Sequence, residues 1–151
     1  MPLGMSLNPM LIWFSKATLC DGLGEEEIAS FYSNFVVRGF AAGAPLYREG
    51  DPADALYVLL EGRVEVSRGG ALLGEVGPGS TVGEMSLFRG SATRSATITP
   101  ASQVTAVMLL RQRFLELLRA RDVPTLVVVN NLAHELAERL TVMNARLAKP
   151  G

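Results

Sequence analysis

A chain of 151 residues that is 48 % apolar and carries a formal net charge of −1 has the makings of one globular domain with a sizeable core. The 14 Lys and Arg against 15 Asp and Glu leave no basic excess for a nucleic-acid backbone, and no apolar run reaches the length of about 18 residues that predicts a membrane span. One cysteine, Cys20, excludes an internal disulfide, and one histidine, His134, supplies too little imidazole for a zinc hydrolase, a cupin-type metal enzyme or a His-based triad. No nucleophile–base pair or metal cluster is evident either, so the sequence predicts no enzyme and no cofactor. Residues 1–14 lack a basic segment followed by an unbroken apolar stretch, which argues against a signal peptide. With Cys20 read as a small buried hydrophobe, a reducing cytoplasm is the expected compartment.

Pro9 at a helix start, followed by Leu11, Ile12, Trp13 and Phe14, predicts a short buried helix. Asp21-Gly22 turns the chain, and Glu25-Glu26-Glu27 places acids where a helix start favours them. Ile28, Phe31, Tyr32 and Phe35 are spaced for one face of that second helix. From residue 35 to 110 short apolar segments alternate with Gly, Pro, Asp and Ser about every 8–12 residues. Strands are expected near 35–40, 45–48, 55–60, 63–67, 71–76, 81–82, 94–99 and 103–110. No helical crossovers lie between them, so a parallel sheet is excluded and an eight-stranded antiparallel jelly-roll barrel is expected. The fold class is α+β, mainly β, in a single domain over residues 1–151: N-terminal helices about 9–34, β-roll about 35–110, C-terminal helices about 111–148.

Beyond Leu110 the pattern is helical over Arg111–Arg121, breaks at Asp122-Val123-Pro124, and resumes to about Ala148, where Lys149-Pro150-Gly151 stops it. Leu126, Val129, Ala133, Leu136, Leu140, Met143 and Leu147 recur at alternating intervals of three and four. That heptad seam either packs on the β-roll or pairs with its copy in a homodimer, and the strict period favours the dimer. Arg111, Arg113, Arg119 and Arg121 read as a solvated helix face, and His134 as an exposed helix position.

The chemistry concentrates in Val82-Gly83-Glu84-Met85-Ser86-Leu87-Phe88 and, after a turn, Thr93-Arg94-Ser95-Ala96-Thr97. Gly83 lets the backbone approach a bound group closely. The free N–H groups at the start of the following turn favour an anion. Arg94 offers a fork of donors matched to phosphate oxygens. Glu84 repels a phosphate, so beside Arg94 it makes sense as an acceptor for a hydroxyl; the two together describe a sugar phosphate. The plainer alternative is a surface turn whose Glu84 and Arg94 form an exposed ion pair worth about 0–1 kcal/mol.

These residues resemble the phosphate-binding cassette of the cyclic nucleotide-binding domains of the catabolite activator protein (Crp/Fnr) family, whose form is Gly-Glu-aliphatic-small-Leu, then Arg-small-Ala ten residues after the Glu. Tyr47-Arg48-Glu49-Gly50-Asp51 and Leu56-Tyr57-Val58-Leu59-Leu60-Glu61-Gly62-Arg63-Val64 resemble the family's early strands, so the likeness runs from about Leu11 to Leu147. The resemblance implies a cyclic nucleotide ligand, with Glu84 accepting from the ribose 2′-hydroxyl, Arg94 binding the cyclic phosphate, and Gly83, Met85, Ser86, Ser95 and Ala96 lining the cassette. Where the family reads the base with Thr and Ser of its long helix, this sequence has Met143 and Asn144; Asn144 carries both a donor and an acceptor for an adenine edge. Ser95 keeps cGMP open beside cAMP. The family's transcription factors carry a helix-turn-helix after the long helix; this sequence stops at Gly151, and no DNA binding is expected of it. The expected function is a regulatory module that signals a bound cyclic nucleotide through its C-terminal helices to an effector protein or domain. The alternative is a degenerate, nucleotide-independent dimerisation or protein-interaction module.

Overall fold

The computed structural model describes residues 8–88 and 93–148. Helix α1 (Pro9–Ser15) begins at Asn8, whose side-chain oxygen accepts from the backbone N–H groups of Met10 at 3.1 Å and Leu11 at 3.4 Å. Pro9 takes the first helical position, where its missing N–H costs nothing. Leu11 and Phe14 share the buried face, whereas Trp13 is 39 % exposed on the other side. The short buried helix expected from the sequence is thus present and buried on one face. A 3-10 turn, Thr18–Cys20, leads to α2 (Glu25–Tyr32), where the Glu27 carboxylate accepts from the Gly24 N–H at 3.0 Å. Phe35 meets both Phe14 and Phe31 edge to face, with centroids 5.0 and 5.1 Å apart.

Cys20 lies beneath these helices and donates to the Phe14 carbonyl at 3.3 Å. Burial, and secondarily the neighbouring Asp21 charge, pushes its thiol up to about 12 from an ordinary 9.0. A thiol whose pKa is raised by folding opposes unfolding least where only the unfolded chain ionises, so this contribution is intact below about pH 9 and fades as pH rises towards 12. The folded protein should therefore resist alkylation of Cys20 at pH 8 and react promptly once unfolded in denaturant. Rapid labelling of the native protein would place the thiol at the surface.

Seven strands follow: β1 (Val36–Phe40), β2 (Ala55–Glu61), β3 (Val64–Arg68), β4 (Ala71–Val76), β5 (Thr81–Val82), β6 (Thr97–Pro100) and β7 (Val104–Leu110). They form two antiparallel sheets, ordered β1-β7-β2-β5 and β4-β3-β6. The central strands β2 and β7 are apolar on both sides because each face meets a different core. Leu56, Val58, Leu60, Val107 and Leu109 point to the helices, and Tyr57, Leu59, Val104 and Ala106 point between the sheets with Val64, Val82 and Ile98.

Two expectations are corrected here. Among the described residues there are seven strands, not eight, in two sheets rather than a closed barrel. The segment predicted as a strand at 45–48 makes only an isolated bridge between Tyr47 and Ile98. Pro45 has no N–H for a ladder, and the Asp51 carboxylate accepts from the Arg48 N–H at 2.9 Å, turning the chain away. For the same reason β6 starts at Thr97 instead of near 94: Arg94 is tied to that turn, its N–H donating to Asp51 O at 2.7 Å and its carbonyl accepting from Gly50 N at 2.9 Å.

Helix α3 (Met85–Phe88) interrupts the second half of the roll, and α4 (Arg111–Arg119) and α5 (Val123–Ala148) close the chain. Asp122 caps α5, accepting from the Thr125 N–H at 3.1 Å and hydroxyl at 2.6 Å. The face of α5 that packs on the body carries Thr125, Val128 and Leu132. Of the predicted heptad stripe, Leu126, Ala133, Leu140, Met143 and Leu147 are exposed, whereas Val129 and Leu136 are half-buried and Val129 packs against the core shared with β2 and β7. His134, Arg113, Arg119 and Arg121 are exposed as expected, and Arg111 is half-buried. The predicted stop at Lys149-Pro150-Gly151 lies outside the described residues, as does most of the turn between the two halves of the cassette.

Candidate functional site

Strand β5 delivers the first half of the cassette. Its two residues pair with Val58 and Tyr57 of β2, after which Gly83 turns the chain at φ +78° into Glu84 and α3. The second half arrives through Arg94, held by the backbone of Gly50 and Asp51. Between the two halves lies a cavity of about 490 Å³ lined by Gly83, Glu84, Met85, Arg94, Ser95 and Ala96. Six of the eight predicted site residues therefore share one concave surface. Ser86 lies in α3, its side chain outside the described atoms. Asn144 is exposed on α5 and lines no described cavity, so the structure does not bring it to the others.

Glu84 and Arg94 are only 7 % and 6 % exposed, which removes the exposed surface pair as an account of them. Buried charges need partners. The Arg94 guanidinium lies over the Tyr47 ring, 3.9 Å from its centroid, and its Nη2 donates to the Ala55 carbonyl at 2.7 Å, with Asp54 3.8 Å away. Its Nε is buried and, among the described residues, has no hydrogen-bond partner. An orphaned buried donor on a permanent cation is a group prepared for an anion. Tyr47 lines the same cavity, and its phenol is pushed up to about 12, mainly by burial, with the Glu84 and Tyr57 charges adding and Arg94 opposing. Across the working pH range it is neutral.

The cation facing Glu84 comes from a different element. Arg139 of α5 donates to the Glu84 carboxylate at 2.7 Å; the Glu84 side chain is 10 % exposed and that of Arg139 60 %. A second, outer cavity of about 730 Å³ lies between α5 and the Pro78–Thr81 turn, with Val142 and Met143 on its helix side. Val76, Thr81 and Arg139 line both cavities, so Arg139 stands at their junction. The Thr81 hydroxyl there is a further buried polar atom with no hydrogen-bond partner among the described residues.

Sequence reasoning missed Tyr47 and Arg139. Arg139 had a signal: it lies four residues before Met143, on the same side of a helix already expected to reach the ligand. Tyr47 had none beyond its place beside the Gly50-Asp51 turn. Among the described residues no group of His, Cys, Asp and Glu could hold a metal ion, and no helix is long and apolar enough to cross a membrane.

Three comparisons bear on this site. Glutaminase 2 of Bradyrhizobium diazoefficiens is 33 % identical over 137 residues, which are 90 % of this chain and 22 % of that protein. The cyclic AMP receptor protein of Thermus thermophilus is 35 % identical over 127 residues, 81 % of this chain and 56 % of the relative, so the chain spans from a fifth to little more than half of these proteins. The crystal structure of Thermus thermophilus catabolite activator protein superposes with a TM-score of 0.77 at 34 % identity, covering 87 % of this chain and 62 % of that one. The family model of the cyclic nucleotide-binding domain matches residues 37–121, from β1 through α4 and across both halves of the cassette; the chain belongs to that family.

Proposed function

We propose that this chain is a cyclic nucleotide sensor whose ligand is cAMP. The observation that carries the reading is Arg94, a buried cation with an unpartnered Nε–H, on the same cavity as the buried acceptor Glu84. The cyclic phosphate would sit on Arg94 and the ribose hydroxyl on Glu84. The base would then extend past Thr81 towards Val142 and Met143 in the outer cavity, which leaves Asn144 on the outside of the helix. The likeness to a protein named cyclic AMP receptor protein supports adenine over guanine; Ser95 on the cavity makes cGMP the second ligand to test.

The reading is regulatory rather than catalytic, in the cytoplasm, with the signal leaving through α5. The exposed stripe of Leu126, Leu140, Met143 and Leu147 supports a homodimer along that helix. An attached or separate effector takes the output; a module that makes up 22 % of one relative and 56 % of another serves more than one kind of chain.

Titration calorimetry of nucleotide-stripped protein with cAMP and then cGMP tests this. One site per chain in the micromolar range or tighter, about −8 kcal/mol or better, is expected for cAMP, with weaker heat from cGMP. No heat and no rise in melting temperature at high ligand would leave the vestigial interaction module as the reading.

A further inference from the structure

Arg94 is the group on which a phosphate would be caught, and its placement depends on a residue outside the cassette. Three features meet at its guanidinium. The Ala55 carbonyl holds Nη2, the backbone at Gly83 crowds Nη1 so closely that a Cβ there would stand 2.6 Å from it, and the Tyr47 ring covers one face at 3.9 Å. The first two lie at the guanidinium nitrogens, and the ring lies against its face. The ring is itself braced: its centroid lies 6.0 Å from that of Tyr57, which in turn meets Phe40 edge-on at 6.1 Å. Its backbone is tied to the same stretch that carries Arg94, with Ile98 N donating to Tyr47 O at 3.1 Å and Gly50 N to Arg94 O at 2.9 Å.

We infer that Tyr47 is a positioning residue of the nucleotide site, its aromatic face being the platform that orients the Arg94 guanidinium towards the phosphate. The inference rests on the nucleotide reading above. The attraction is electrostatic, between the cation and the negative face of the ring, and it strengthens where water is excluded, as here. The hydroxyl is not needed for it, and the shape of the ring alone does not supply it.

Tyr47→Phe should bind cAMP within about threefold of the wild-type chain, because the ring face remains. The same variant carrying one, two and three fluorines on the ring keeps its shape while losing the negative face. Its affinity for cAMP should fall stepwise, by about tenfold over the series, equivalent to about 1.4 kcal/mol. A platform that served only packing would leave the series flat. The melting temperature of the nucleotide-free proteins, measured alongside, should change little, and Tyr47→Leu should lose at least as much affinity as the most fluorinated ring. A wild-type chain that binds cAMP with a flat or rising fluorine series sinks this inference alone. A wild-type chain that binds no cyclic nucleotide sinks the parent reading and this one with it.

Discussion

Replacing Arg94 by alanine is expected to weaken cAMP binding by roughly ten- to a hundredfold or more. The side chain is 4 % exposed, so the phosphate it would meet is shielded from water and the interaction is little screened. A hydrogen bond to a charged group contributes about 1.5–3 kcal/mol, and about 1.4 kcal/mol is a factor of ten. Loss of the fork also removes one of the two cations on the cavity and leaves Arg139 paired to Glu84. Lysine should not rescue, since an ammonium cannot lie flat on Tyr47 while reaching the same oxygens. Calorimetry on Arg94→Ala and Arg94→Lys measures this directly; unchanged affinity would mean the phosphate binds elsewhere.

Gly83→Ala should damage both stability and binding. Its φ of +78° lies in the left-handed region, where a side chain costs about 1–2 kcal/mol. The new Cβ would also stand 2.6 Å from Arg94 Nη1, 3.2 Å from the Ala55 carbonyl and 3.3 Å from the Tyr47 hydroxyl, so the guanidinium must leave its platform. We expect a loss of roughly 1–3 kcal/mol and a melting temperature lower by about 3–10 °C, with at least a tenfold fall in cAMP affinity, or about 1.4 kcal/mol. Gly43→Ala separates the two effects. Its φ is +84° with nothing within 4 Å of the added carbon, so it carries the backbone cost alone and should leave affinity unchanged. Equal effects on binding from both variants would remove the steric argument.

How far the sequence could be read depends on whether the physics was local. Gly83, Glu84 and Arg94 were legible because their order and the ten residues from Glu84 to Arg94 match the cassette the sequence resembles; the residue types alone left an exposed ion pair open. The paired strands β2, β3, β4 and β7 were legible because apolar runs and turn residues mark them out. Local patterning gave a strand at 45–48 but could not show that Pro45 and the Arg48–Asp51 turn leave it a single bridge. Nor could it show that the carboxylate of Glu84 is met by a helix residue 55 positions later, or that Arg94 lies on an aromatic ring 47 positions earlier. Such contacts follow from how the sheets close over each other, and no periodicity encodes them.

Helix α5 holds 26 residues, about 39 Å of rod at about 1.5 Å per residue. Its first half is clamped: Thr125, Val128 and Leu132 are buried, Asn131 donates to the carbonyls of Leu19 and Asp21, and Glu135 accepts from the Thr18 hydroxyl. From Ala137 to Leu147 every residue is exposed, and among the described residues Arg139 on Glu84 ties this stretch to the body. Mechanically, among the described residues, this is a cantilever with one stay. Letting out or drawing in the stay swings a tip that lies about 12 Å further on, at Leu147. A protein gripping that tip would sense the state of Glu84 without entering the cavity. By the reciprocity of linked equilibria, its grip would change nucleotide affinity by the same factor that the nucleotide changes its grip.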